Sequence, residues 1–224
     1  MILNDIQDRP EEEDKNLQIR RLAAEAIDLP EQNAPKGSKR MILNAALQLF
    51  AERNFAGGSI RDIAEIAGLK PASLYAHYRS KEEMLANLIE IGHIEHNESV
   101  EKSVARAENT PRARLNAWVD AHVRFHAKYP MLATVINHEL HALPTDRIQV
   151  ATNLREKTVK LLLDIIDQGT ELGEFNCGHD PWLAAASIGA TGMRVANWYS
   201  QDNPRTVDQI AEAYSDFAYR IVKG

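Results

Sequence analysis

The sequence predicts an all-α protein in which a three-helix helix-turn-helix domain precedes a larger helical domain. Three observations carry that prediction. Apolar residues recur at intervals of three and four, no stretch alternates with a period of two, and proline or glycine breaks the pattern where one helix must stop and another start. There is no internal repeat, and low complexity is confined to one acidic run near the N-terminus.

Residues 1–35 read as an acidic extension, with Glu11, Glu12, Glu13 and Asp14 followed by Ile19, Leu22, Ala23, Ala26 and Ile27 at helical spacing. Pro30, Pro35 and Gly37 then mark 30–37 as a linker. A helix over 38–53 follows from Ile42, Leu43, Ala46, Leu47 and Phe50, and Gly57 and Gly58 stop it. Ser59 with Asp62 three residues on has the form of a capping box, so a second helix starts there and ends at Gly68. Gly68 supplies a turn that needs positive φ, and Pro71 opens a short third helix through Leu74 towards Tyr78. Ser80 with Glu83 repeats the capping logic and launches a long helix over 81–107. Beyond Pro111 the pattern predicts helices over 113–128, 131–141, 146–171, 181–200 and 206–222. The domains expected are therefore 1–35 as extension, 36–82 as helix-turn-helix, and 83–224 as the larger domain.

The chain of 224 residues carries a net charge of −6, but the charge is unevenly spread. Between Lys36 and Lys81 eight basic residues face three acidic ones, about +5, leaving about −11 elsewhere. One end thus suits a polyanion and the rest repels it. The lone cysteine, Cys177, excludes an internal disulfide framework and fits a reducing cytoplasm. No apolar run approaches the roughly 20 residues of a membrane span, and the polar first ten residues are no signal peptide, so neither membrane insertion nor export is expected. The chain lacks a phosphate-binding glycine loop, a nucleophile elbow, a cysteine-histidine motif and a paired set of catalytic carboxylates, which argues against an enzyme.

Residues 59–78, SIRDIAEIAGLKPASLYAHY, combine a supporting helix, a glycine turn and a small recognition helix. A recognition helix must be thinly clad at its start, because the DNA major groove is about 12 Å wide. Ala72 and Ser73 meet that demand. Ile63, Ile66, Leu69 and Leu74 are expected to close a small core on Leu47 and Phe50. Hydroxyls and cations then serve as phosphate donors, with Ser59, Arg61, Tyr75, His77 and Lys81 the candidates. Lys70, Ala72 and Ser73 are the candidates for base edges: Lys70 can donate to a guanine and Ala72 can touch a thymine methyl. Against this stands the plainer reading in which Ser59 and Ser80 only cap helices and Tyr75 and Tyr78 only pack.

Over residues 38–85 the chain resembles the DNA-binding domain of TetR-type repressors, through ILNAALQLFAERNF, SIRDIAEIAGLK and SLYAHYRSKEEML. The resemblance implies three DNA-binding helices, an all-helical ligand-binding and dimerisation domain, and no catalysis. Carried over by position, the family's phosphate contacts fall on Ser59, Tyr75, His77 and Lys81. Pro71 departs from the pattern, where many members have a small polar residue or glycine, and bears on base readout. The C-terminal half resembles the branch that responds to acyl-coenzyme A thioesters, through HVRFHAKYP, INHELHALP, IIDQGTELGEF and ATGMRVANWYS.

A symmetric operator needs two recognition helices about 34 Å apart, which predicts a homodimer, with helices 181–200 and 206–222 as its interface. Trp118, His122, Phe125, Met193, Arg194 and Trp198 are the candidates to line an effector cavity between helices, against ordinary core packing as the alternative. Arg194 would suit an anionic effector. His93 with His96, His122 with His126, and His138 with His141 have spacings that can bring two imidazoles to one helix face, as zinc requires. No complete metal motif accompanies them, so no metal ligand and no cofactor is expected. The expectation is a cytoplasmic dimeric repressor of double-stranded operator DNA, released by a small-molecule effector such as an acyl-coenzyme A. The alternative is a metal- or other-ligand-responsive regulator of the same fold.

Overall fold

The computed structural model describes residues 29–178 and 180–224; the acidic run and the amphipathic pattern at 19–27 lie outside the described residues. Among the described residues there is no strand. The helices are α1 (Ser38–Arg53), α2 (Ile60–Ile66), α3 (Pro71–Tyr75), α4 (Lys81–Arg106), α5 (Pro111–Lys128), α6 (Pro130–His138), α7 (Thr145–Glu171), α8 (Pro181–Met193), α9 (Val195–Trp198) and α10 (Val207–Lys223). A single 3-10 turn, Leu140–Ala142, separates α6 from α7.

Local chemistry sets the ends of the helix-turn-helix. The Ser59 hydroxyl accepts from Asp62 N–H at 3.2 Å while the Asp62 carboxylate takes the Ser59 N–H at 2.7 Å, a complete capping box. At the other end of α2, Leu69 N–H donates to Ala64 O and Gly68 N–H to Glu65 O, closing the last turn with Gly68 at φ +65°. Ser80 caps α4 by accepting from Glu83 N–H, but the Glu83 carboxylate takes the Arg79 N–H rather than that of Ser80.

Three elements differ from the periodicity. Residues 30–37, expected as a linker, are docked: Leu29 and Ala34 are buried, the Arg40 side chain donates to the carbonyls of Leu29 and Pro30, and Asn33 Nδ2 reaches Glu95 and Glu98 on α4. The single helix expected over 181–200 is divided at Arg194, where Asn197 N–H donates to Arg194 O in a tighter turn. Gly189 and Gly192 just before it weaken the helical ladder. The helix expected over 131–141 stops at His138, and the 3-10 turn takes its last residues.

The core has two parts. The first joins Leu47, Phe50, Ile63 and Leu74 to the N-terminal half of α4 and to α6, so apolar packing runs without interruption across residue 82. The second is built on α5, which packs against α4, α7, α8 and α10. Ile66, expected in the small core, is 41% exposed, because it ends a seven-residue helix whose buried side is already filled by Ile63 and Ala64. Among the described residues no helix is long and apolar enough to cross a membrane.

Past α7 the chain turns at Gly173, φ +72°, and lays the Phe175 ring over Gly169. A Cβ at Gly169 would lie 2.1 Å from that ring. Gly169→Ala is expected to destabilise the fold by about 1–3 kcal/mol, the usual cost of overpacking, read as a lower urea midpoint at fixed protein concentration.

Candidate nucleic-acid interface and buried cavity

Most of the candidates on the helix-turn-helix are exposed. Ser59, Arg61, Lys70, Ala72, Ser73 and Tyr75 are exposed, Tyr75 by 55%, and His77 is half-buried at the end of the short third helix. Pro71 sits at the first position of α3, where its missing N–H costs nothing. Tyr78 points inwards and is 3% exposed; burial, then the charge of Glu83, pushes its phenol up to about 12.

Two of the phosphate candidates already have intramolecular work. The Ser59 hydroxyl donates to the Asp62 carboxylate at 2.6 Å, which holds that carboxyl below its ordinary range. Lys81 lies across the loop before α2: its ammonium donates to Phe55 O at 2.6 Å and Gly58 O at 2.7 Å and sits 4.0 Å from the centre of the Phe55 ring. The lysine thus ties the start of α4 to the entry of the helix-turn-helix. Gly58 approaches Leu49 so closely that a Cβ would meet its Cδ2 at 2.4 Å, which fixes this loop on α1.

A cavity of about 560 Å³ lies between α4, α5, α7 and α8. Of the six cavity candidates, Trp118, His122 and Met193 line it. Phe125 is buried behind it, its ring 4.8 Å from that of His96. Arg194 is exposed and borders a smaller cavity with Thr134, Asn137 and His138, and Trp198 packs edge-on against Tyr199. Helical geometry is the reason: one and five residues on from Met193, positions 194 and 198 lie about 100° and about 140° around the axis, away from the face that Met193 presents to the larger cavity.

Residues that the sequence reading did not place here complete the wall: His93, His96 and His126, with Arg155 and Trp182 at the exposed side. Their signal was the pairing of histidines along α4 and α5, but only packing shows that the two pairs meet. His122 Nε2 lies 3.0 Å from Gly189 O, and a carbonyl can only accept, so Nε2 carries the proton and Nδ1 the lone pair. His96 Nε2, 2.9 Å from that Nδ1, is therefore the donor. His126 Nδ1 donates to His122 O at 2.7 Å, leaving its Nε2 to accept from Asn137 Nδ2 at 3.3 Å. Trp118 stacks on His122 with centroids 4.7 Å apart, and its Nε1–H donates to Thr158 O. Gly192 admits the His122 ring, since a Cβ there would stand 2.2 Å from it.

Burial dominates the electrostatics of these imidazoles. It holds His96 and His122 well below the ordinary histidine value, with the neighbouring histidines adding to the effect. His93 is pushed down to about 4 by burial and then by the charge of Arg155, and His126 to about 4 by burial. At neutral pH all four are uncharged.

The N-terminal part, residues 42–88, matches the family model for bacterial regulatory proteins of the tetR family, and residues 108–222 match the tetracyclin repressor-like C-terminal domain. The chain is similar to the HTH-type transcriptional repressor KstR2 of Rhodococcus jostii strain RHA1, with 27% identity over 179 residues, 80% of this chain and 87% of that protein. A solved regulatory protein of the tetR family from Rhodococcus RHA1 superposes with a TM-score of 0.77 at 26% identity, covering 84% of this chain and 98% of the other. AibR, solved in complex with isovaleryl coenzyme A and operator DNA, superposes with a TM-score of 0.72 at 25% identity, covering 81% and 97%.

The two Lys81 hydrogen bonds predict a structural consequence separate from any role on DNA. Lys81→Met keeps the stem and removes the ammonium, leaving two loop carbonyls without their donor. Its expected cost is about 1–3 kcal/mol, measured as a lowered thermal midpoint without DNA.

Proposed function

The chain belongs to the TetR family of bacterial regulatory proteins, and from that premise we propose a cytoplasmic homodimeric repressor that leaves its palindromic operator when an acyl-coenzyme A thioester occupies the cavity. Its class is that of a transcriptional regulator, and the proposed action is binding rather than catalysis. Residues 36–82 read DNA in this proposal, and 83–224 bind effector and dimerise. The observation that carries it is the continuity of α4, whose first residue pins the helix-turn-helix through Lys81 while His93 and His96 form part of the cavity wall. Those histidines lie about 18–23 Å along the helix from Lys81 at 1.5 Å per residue. A shift of α4 at the cavity therefore moves the recognition helix.

Each recognition helix enters a major groove, with Lys70, Ala72 and Ser73 facing base edges. Ser59, Arg61, Tyr75, His77 and Lys81 face phosphates. Two half-sites about 34 Å apart require two copies. The exposed apolar side chains Trp182 and Leu183 on α8 and Phe217 on α10 support pairing through these helices. AibR, in its complex, holds both a coenzyme A thioester and operator DNA. Here Trp118, Ile136, Leu162 and Met193 offer an apolar lining for an acyl chain, His122 a polar contact, and Arg155 a cation at the exposed side. Induction asks for a coupling of about 1–3 kcal/mol, a weakening of roughly 5- to 150-fold.

Fluorescence anisotropy with the chain's own upstream DNA tests this at two salt concentrations, with and without a panel of acyl-coenzyme A thioesters. One thioester is expected to lower operator affinity within that range. Tyr75→Phe and Lys70→Ala should each weaken binding, and loss of a phosphate cation should flatten the salt dependence by about one unit of slope. Binding that is insensitive to salt would remove the DNA assignment, and binding indifferent to every thioester would remove the effector.

A further inference from the structure

We propose that His96, His122 and His126 form a binding site for a divalent ion of the zinc class, with its open coordination position facing the cavity. One ring nitrogen from each of the three lies within 4.8 Å of the others, and all three side chains are buried. Three imidazoles plus one position for a non-protein ligand is a recurrent zinc arrangement, with Zn–N near 2.0–2.1 Å and hence ligand nitrogens about 3.3 Å apart. Coordination asks the His96–His122 contact to open from 2.9 Å and the wider separations, all within 4.8 Å, to close to that spacing.

The second argument is the shell behind the rings. Histidines that bind metal donate their other N–H to a carbonyl or carboxylate, which fixes the tautomer and aims the lone pair. His122 does so to Gly189 O, and His126 to the carbonyl of His122. Their remaining nitrogens, Nδ1 of His122 and Nε2 of His126, carry lone pairs, which accept from His96 Nε2 and Asn137 Nδ2 and which an ion would take over. His96 joins by moving its proton from Nε2 to Nδ1, a tautomer change that releases no proton.

The third argument is what surrounds the three rings. Buried polar groups in an apolar seam are normally fully partnered. His93, one turn before His96 and lining the same cavity, has a buried Nε2 with no hydrogen-bond partner. Trp118 stacked on His122 and Phe125 against His96 and His126 exclude water from behind the site. Three neutral ligands leave the ion's +2 charge uncompensated, so the fourth ligand drawn from the cavity is anionic: hydroxide, carboxylate or thiolate.

The test uses the full chain, stripped of metal by a chelator and titrated with Co²⁺, then with Zn²⁺ against a chromophoric chelator. One Co²⁺ per chain with visible bands of tetrahedral coordination is expected, displaced by Zn²⁺. X-ray absorption at the zinc edge of the unaltered protein should show imidazole nitrogens at about 2.0–2.1 Å. Loss of an outer-shell partner alone costs about 10- to 100-fold, so His96→Gln and His126→Gln should each weaken zinc by more than about 100-fold. A His138→Gln, His141→Gln double variant, altered at the exposed pair, should bind as before. No cobalt bands, an octahedral oxygen spectrum, or affinity unchanged in the His96 and His126 variants would overturn the site. The spectrum of the unaltered protein decides even if those variants do not fold. DNA takes no part in the readout, so failure here and failure of the repressor reading are told apart.

Discussion

The hydrogen-bonded run from Gly189 O through His122 to His96 joins α8, α5 and α4 in the wall of the cavity, with Trp118 and Phe125 packed against its rings. His126 extends it to Asn137 on α6. Each link fixes the tautomer of the next, so the rings have little freedom to turn without leaving a buried nitrogen unsatisfied, at a cost of about 1–3 kcal/mol per group. The approach also dictates small residues opposite: Gly192 leaves room for the His122 ring. This polar run ties α4 and α8 to α5 along one wall of the cavity.

Helix α4 carries the consequence to the other end of the molecule. It is 26 residues long, capped by Ser80, and held by Lys81 to the carbonyls of Phe55 and Gly58. A continuous helix carries a displacement along its axis, whereas a loop would absorb it. The continuous apolar packing from Leu47 and Phe50 into α4 and α6 acts the same way, because close-packed cores transmit strain rather than yield to it. The docking of Asn33 onto Glu95 and Glu98 adds a further tie from the segment before α1. The histidine seam and the helix-turn-helix are thus joined by one helix and by contiguous apolar packing, the connection on which the proposed release from DNA rests.

The helix-turn-helix was legible in the sequence because its determinants are local. Ser59 with Asp62, Gly68 with its positive φ and Pro71 at a helix start act within a few residues of themselves, and the structure has each of them in the expected place. The buried face of a longer helix is local as well, since period alone exposes it. Where a helix had only weak local signals the reading slipped. In 181–200 Gly189 and Gly192 were too weak a signal to place a break at Arg194, and a seven-residue helix was too short for its period to show that Ile66 lies outside the core.

By itself, the sequence determined the all-helical class, the order of the helices and the module that faces DNA, because caps, turns and periodicity are short-range properties of the chain. It also displayed histidine pairs along two helices. That the pairs meet, that His122 rather than Arg194 faces the cavity, and that Lys81 holds two carbonyls were decided only by tertiary structure. Those facts depend on how helices far apart in sequence cross, and a crossing is set by the whole packed core rather than by any stretch of residues.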